Sequence, residues 1–187
     1  MKKGLYIILL LLFISIPVGC NKKNSKIEST DALKFKEEYE SLNNEKDLIK
    51  VSIKEKNPIV YSNLDEVIDI MDNKSGLIYF GNAKSNSCRD MISILIEAAK
   101  QTGLKKIYYI DTKNIEENDE KLSKIKEYVN DFNGAILLFI KDKENIGSIQ
   151  SLDKDYKKMS EEEQDELLKI YRNSIHEMLD DICDQSC

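Results

Sequence analysis

Cysteine is the side chain whose spacing in this sequence invites chemistry. The chain has 187 residues and four cysteines, at Cys20, Cys88, Cys183 and Cys187. Cys88 ends the tetrapeptide Ser85-Asn86-Ser87-Cys88, between an apolar run and a helical pattern. A thiol in the first turn of a helix faces unpaired N–H groups, and the helix dipole favours its thiolate. The same residue has a plainer reading. Cys88 shares a helical face with Met91, Ile92, Leu95 and Ala99, so it can be a small buried hydrophobe. Ser85 or Ser87 is then a helix cap.

Cys183 and Cys187 are four residues apart near the C-terminal end. That spacing puts them on one side of a helix, or in a frayed end able to close a small disulfide. A local disulfide, free thiols and exchange with another molecule all fit it. The chain has one histidine, His176. Its spacing to Cys183 and Cys187 matches no zinc pattern, so neither a metal nor a cofactor is expected. No Gly-rich phosphate loop, Ser–His pair or informative carboxylate pair occurs.

Charge narrows the partners. Against 28 Lys and Arg stand 34 Asp and Glu, a net charge of −6. Lys105-Lys106 and Lys157-Lys158 are isolated, so nucleic acid is not an expected partner. Charged residues at 33% and hydrophobic ones at 41% fit a soluble globule. The length allows one domain with extensions.

The first residues read as an address. Lys2 and Lys3 precede an uncharged run from Leu5 to Val18. Spanning about 30 Å of hydrocarbon takes roughly 20 residues, so this run is short for a membrane span. It fits a secretory signal. The run ends at Pro17-Val18-Gly19-Cys20, which resembles a bacterial lipobox, although Pro17 stands where Leu is usual. The expectation is a signal peptide over 1–19, lipidation of Cys20 and a tether over 20–31. The protein would then sit on the outer face of the cytoplasmic membrane, held by a lipid anchor. Its cysteines would face an oxidising compartment.

The elements that must position Cys88 follow from periodicity. Asp31 could cap a helix to about Asn44, with Leu33, Phe35, Tyr39 and Leu42 inward. Ile59–Tyr61 is a short strand. Asn63 or Ser62 caps a helix carrying Leu64, Val67, Ile68 and Met71. Leu77–Phe80 reads as a buried central strand. The next helix starts near 85–87 and ends at Gly103. Ile107–Ile110 is a strand and 116–131 a charged helix. Ala135–Ile140 is a strand, paired as a hairpin with the segment 147–152. Ser160 and Glu163 fit a capping box that opens a long last helix. This order predicts an α/β fold, a thioredoxin-like mixed sheet of about five strands with helices on both faces and an added N-terminal helix. The domain would occupy 32–187.

Several stretches resemble one family. They are Phe35-Lys36-Glu37-Glu38-Tyr39-Glu40-Ser41-Leu42-Asn43, Val51-Ser52-Ile53 leading to Asn57-Pro58-Ile59-Val60-Tyr61, Tyr79-Phe80-Gly81 followed by Cys88-Arg89, and Ile107-Tyr108-Tyr109-Ile110. Together they resemble Gram-positive thioredoxin-like proteins labelled bacteriocin transport accessory protein, over roughly 35–111. The resemblance implies a Cys-x-x-Cys site where this chain has Ser85-Asn86-Ser87-Cys88. The attacking position is Ser85, and Cys88 alone keeps a thiol at the resolving position. A hydroxyl does not replace a thiolate in disulfide exchange. The fold's cis-proline position falls near Gly134-Ala135, and no proline follows Pro58. A cis bond before alanine costs about 2.5–4 kcal/mol, so a trans bond is expected.

These readings predict a membrane-anchored binding or accessory module with a protein partner. The alternative is a thiol–disulfide oxidoreductase acting through Cys88 or the Cys183/Cys187 pair. Cys88 and Cys183 are expected at opposite ends of the domain.

Overall fold

Leu77, Ile78, Tyr79 and Phe80 are all buried, as a strand covered on both faces must be. They lie in the strand Gly76–Gly81, called β2. In the computed structural model, residues 23–116, 120–129, 132, 134–151 and 156–183 are described, with the side chains of 23–29, 157 and 180–183 left out.

Around β2 stand β1 (Ile59–Tyr61), β3 (Ile107–Asp111), β4 (Ile136–Lys141) and β5 (Glu144–Gln150). Their order is β1-β3-β2-β4-β5. β1, β3 and β2 are parallel, while β4 and β5 run antiparallel to their neighbours. Asp142 and Lys143 both have positive φ, which makes the two-residue turn between β4 and β5. The five-stranded mixed sheet with helices on both faces is the thioredoxin-like arrangement that the element order predicts.

Strand alternation divides the core in two. Leu77, Tyr79, Leu137 and Phe139 face a cluster that includes Phe35, Tyr39, Met91, Leu95, Tyr171 and Ile175. These come from α1 (Lys23–Glu40), α3 (Asn86–Thr102) and α5 (Glu161–Cys183). Ile78, Phe80, Ile136 and Leu138 face a second cluster. There α2 (Leu64–Asn73) and α4 (Lys121–Lys126) contribute Val67, Ile70, Leu122 and Ile125.

The caps are where the sequence places them. The Asn63 side chain accepts from Glu66 N–H at 3.0 Å, and the Glu66 carboxylate accepts from Asn63 N–H at 3.3 Å. Ser160 and Glu163 form the same reciprocal pair, at 2.9 and 3.2 Å. Gly103, at φ +74°, ends α3 in the left-handed conformation.

Some expectations need correction. Residues 23–30, expected within the tether, are helical and continue into α1. No glycine or proline interrupts that stretch, so nothing there breaks a helix. α1 ends at Glu40 rather than near Asn44. The Asn43 amide bonds both Val51 N–H and Val51 C=O, which draws the chain back across the domain. Leu33 is 41% exposed, and Ala32 takes the inward place beside Phe35. The charged helix is helical over 121–126 among its described residues. The strand after the hairpin turn starts at Glu144, because its turn has only two residues.

Gly81 shows how tightly this sheet meets α3. A Cβ built there would lie 2.6 Å from the Tyr79 hydroxyl and 2.7 Å from its ring carbon. Tyr79 is buried and cannot swing away. Gly81→Ala should therefore destabilise the fold by about 1–3 kcal/mol through overpacking. Urea denaturation measures this, and an unchanged midpoint would show that Tyr79 can move.

Candidate functional site

The site is the junction of β2 and α3. Chain direction brings the end of a central parallel strand to the start of a helix, with Asn82 to Ser85 as the connection. Ser85 is the N-cap of α3, and its hydroxyl accepts weakly from Cys88 N–H at 3.5 Å. The Ser85 and Ser87 hydroxyls lie 2.8 Å apart.

Cys88 has 0% of its surface exposed. Its Sγ accepts from Asn82 N–H at 3.3 Å. Its carbonyl accepts from the Tyr79 hydroxyl at 3.2 Å. The Tyr79 and Tyr39 hydroxyls are 3.3 Å apart. Burial, then the nearby Tyr79 and Cys88, pushes the Tyr39 hydroxyl well above the usual tyrosine range. Burial does the same to Tyr79, with Cys88 the next contributor.

The loop expected at the cis-proline position does meet the motif. Gly134 has φ +114°, in the left-handed half of backbone space. A Cβ on it would lie 3.2 Å from Ser87 Oγ and would collide with Ser151 Oγ. Ser151 Oγ accepts from Ala135 N–H at 2.8 Å and donates to Ala135 C=O at 3.3 Å. The peptide bond before Ala135 is trans. A loop of small residues, pinned by a serine hydroxyl, thus occupies the place facing Ser87.

Arg89 is the residue that spacing alone does not single out. Its side chain is 0% exposed. Nη1 donates to Tyr39 C=O at 2.9 Å and to Ala83 C=O at 3.0 Å. Nη2 donates to Asn43 Oδ1 at 2.6 Å, and Nε donates to Ile49 C=O. These four acceptors are all neutral oxygens. Burial pushes the guanidinium downward, and Tyr39 opposes that. Arginine is rarely fully buried, so composition and periodicity give no hint of this role. Its place after Cys88 in the family-like stretch is the one available signal.

Of the other sequence-predicted site residues, only the backbone of Cys183 is described, and α5 carries it away from this cluster. Lys141 Nζ donates to Glu177 C=O at 2.9 Å. Lys141 ends β4 on the edge of the sheet where β2 begins, opposite Cys88. α5 has therefore reached the far end by Glu177, and Cys183 lies six residues further along it. The side chain of Cys183 is among those left out, and Cys20 and Cys187 lie outside the described residues. Among the described residues, no three His, Cys, Asp or Glu side chains converge as metal ligands. No described helix is long and apolar enough to cross a membrane.

Chemically, the arrangement holds one sealed thiol beside two hydroxyls. Disulfide exchange needs a thiolate that can approach a sulfur along the S–S axis. Cys88 offers no surface for that approach, and Ser85 cannot form the partner bond.

Solved structures similar to this chain include two plant proteins. They are thioredoxin O2 and thioredoxin O1 from Arabidopsis thaliana, both in the oxidized state. Each covers 52% of this chain, and the matches span 85% and 88% of those chains. Identities are 17% and 21%, with a TM-score of 0.39 for both. No family model matches the sequence, and no curated protein matches it.

The buried tyrosines make a pH prediction. Burial raises Tyr39, Tyr79, Tyr109 and Tyr171 above the ordinary value. In the unfolded chain they ionise near pH 10. The folded state keeps them protonated past that point. Their contribution is fully present below about pH 10 and is lost as pH rises toward the folded values. Each adds a slope of up to about 1.4 kcal/mol per pH unit. The Tyr171 hydroxyl is buried and has no hydrogen-bond partner among the described residues. Tyr171→Phe should leave stability at pH 7 equal or higher and flatten the alkaline slope by about one tyrosine's share. Urea titrations between pH 8 and 11.5 would show it. An unchanged slope would place Tyr171 in contact with water.

Proposed function

We propose that this protein is a membrane-anchored, extracytoplasmic accessory module that uses a thioredoxin-like scaffold for binding rather than for dithiol exchange. One observation carries the proposal. Cys88, at the resolving position, is fully buried, and Ser85, at the attacking position, is spent on capping α3. Disulfide exchange needs an accessible attacking thiolate; Ser85 supplies a hydroxyl there, and the one described thiol nearby, Cys88, is too buried to take over that role. The signal-like run before Cys20 supports the anchored location. The resemblance to bacteriocin transport accessory proteins supports a protein partner in peptide export. Fold alone does not select either role.

The test is insulin reduction by the unaltered protein beside Ser85→Cys. The unaltered protein should show no rate above the reductant alone. The variant should gain activity, because a second thiol then stands at the helix cap beside Cys88. Turnover by the unaltered protein at the variant's rate would overturn the proposal. The location is tested separately: Cys20→Ala should shift the protein from the membrane to the soluble fraction.

A further inference from the structure

The cover over Cys88 is tied to a strap from outside the thioredoxin-like core. Residues 43–51 leave the end of α1 and cross the N-terminal end of α3. Asn86, exposed at the first position of α3, holds the strap twice. Its Nδ2 donates to Asp47 C=O at 2.9 Å, and its Oδ1 accepts from Ile49 N–H at 2.8 Å. Arg89, one turn on, reaches Ile49 C=O and Asn43 Oδ1 in the same strap. Arg89 also holds Ala83 C=O. Ala83 follows Asn82, whose backbone N–H bonds the Cys88 sulfur. Strap, guanidinium, 82–85 connection and thiol therefore form one continuous chain of contacts.

We propose that residues 43–51 act as a latch: while the strap is seated on Asn86 and Arg89 the Cys88 thiol is sealed, and lifting the strap opens it. This inference rests on the reading of the site as closed. When the strap lifts, Arg89 loses its Ile49 acceptor while remaining a cation. A buried guanidinium so depleted draws water or turns outward. Either response frees Ala83 and the 82–85 connection that covers the sulfur. The strap is the part able to move first. Its ties to α3 are four hydrogen bonds, two of them to exposed Asn86 and two to buried Arg89, and Val51 at its far end joins the core, so the segment 44–50 is the part free to lift while α3 is packed along its length. Local opening of this kind has a lower free energy than global unfolding.

The test is the rate at which a maleimide labels Cys88 in the full chain, with the labelled site located by peptide mass spectrometry. Asn86→Ala removes both strap hydrogen bonds at an exposed position. It should label about ten-fold faster without denaturant, as expected for two net hydrogen bonds. Its urea midpoint should fall by no more than the same two hydrogen bonds account for, with labelling still less dependent on urea than global unfolding is. Asn86→Asp keeps the acceptor for Ile49 N–H, loses the donor to Asp47 and favours the helix N-terminus. It should give an intermediate rate while folding at least as well. The urea dependence of labelling should be shallower than that of global unfolding in all three proteins. Slow labelling that ignores both substitutions, or that follows global unfolding throughout, would overturn the latch alone. Rapid labelling of the unaltered chain would overturn the closed site and the latch together.

Discussion

A guanidinium with 0% exposure, donating to four neutral oxygens, is the constraint around which the site end of this protein is arranged. Removing a cation from water costs several kcal/mol even after relaxation. Without a counter-ion bonded to it, Arg89 recovers that cost from charge-assisted hydrogen bonds, each stronger than a neutral pair. The planar fork suits this, since donors on three nitrogens reach acceptors in different directions. Tyr39 C=O lies in the last turn of α1, Asn43 and Ile49 in the strap, and Ala83 in the connection to α3. One side chain thus fixes three chain segments against the site helix. Lysine, with a single nitrogen, could not reach all four oxygens.

That constraint explains why an N-terminal addition is part of the core. α1 packs on the same sheet face as α3 and α5, beside the edge strand β1. Phe35 and Tyr39 stack at 4.3 Å between ring centres, and Phe35 meets Tyr109 edge-on at 4.8 Å. Tyr61 joins Tyr109 at 5.2 Å, and its hydroxyl donates to the Glu38 carboxylate. These rings cover the face of the sheet near β1, and at the β1 edge Asp31 and Asn57 accept from Tyr61 N–H at 3.2 Å and Ile59 N–H at 3.1 Å. The aromatic contacts supply burial, and Arg89 supplies position.

Much of this was legible in residue order. The apolar runs at 77–80, 107–110 and 135–140 mark buried strands because both sheet faces are covered, and that pattern needs no partner to recognise. Asn63 and Ser160 mark helix starts because capping is local. The serine at 85, the single thiol at 88 and the absence of proline after Pro58 are equally plain, since they are read directly. What was not legible depends on contacts far apart in sequence. Leu33 follows the helical pattern yet faces outward, because the sheet is met by Ala32 and Phe35 instead. Arg89 looks like surface charge until segments 40 and 50 residues away arrive beside it. The helical start of α1 had no cap or apolar stripe to announce it.

The residues from 85 to 88 are held by contacts that need no redox chemistry. Ser87 lies against Gly134, whose positive φ and crowding by Ser151 leave no room for a side chain. Ser85 caps α3, and Cys88 accepts a backbone N–H within an apolar cluster. Each of these is a packing or hydrogen-bonding role that a redox site and a closed site share. Serine caps a helix at least as well as cysteine, so replacing the attacking thiol leaves the local fold intact. Cys88 lies instead within the apolar cluster, so truncating it to alanine would leave a cavity there. Burial thus makes position 88 less tolerant of change than position 85, which needs only a capping oxygen.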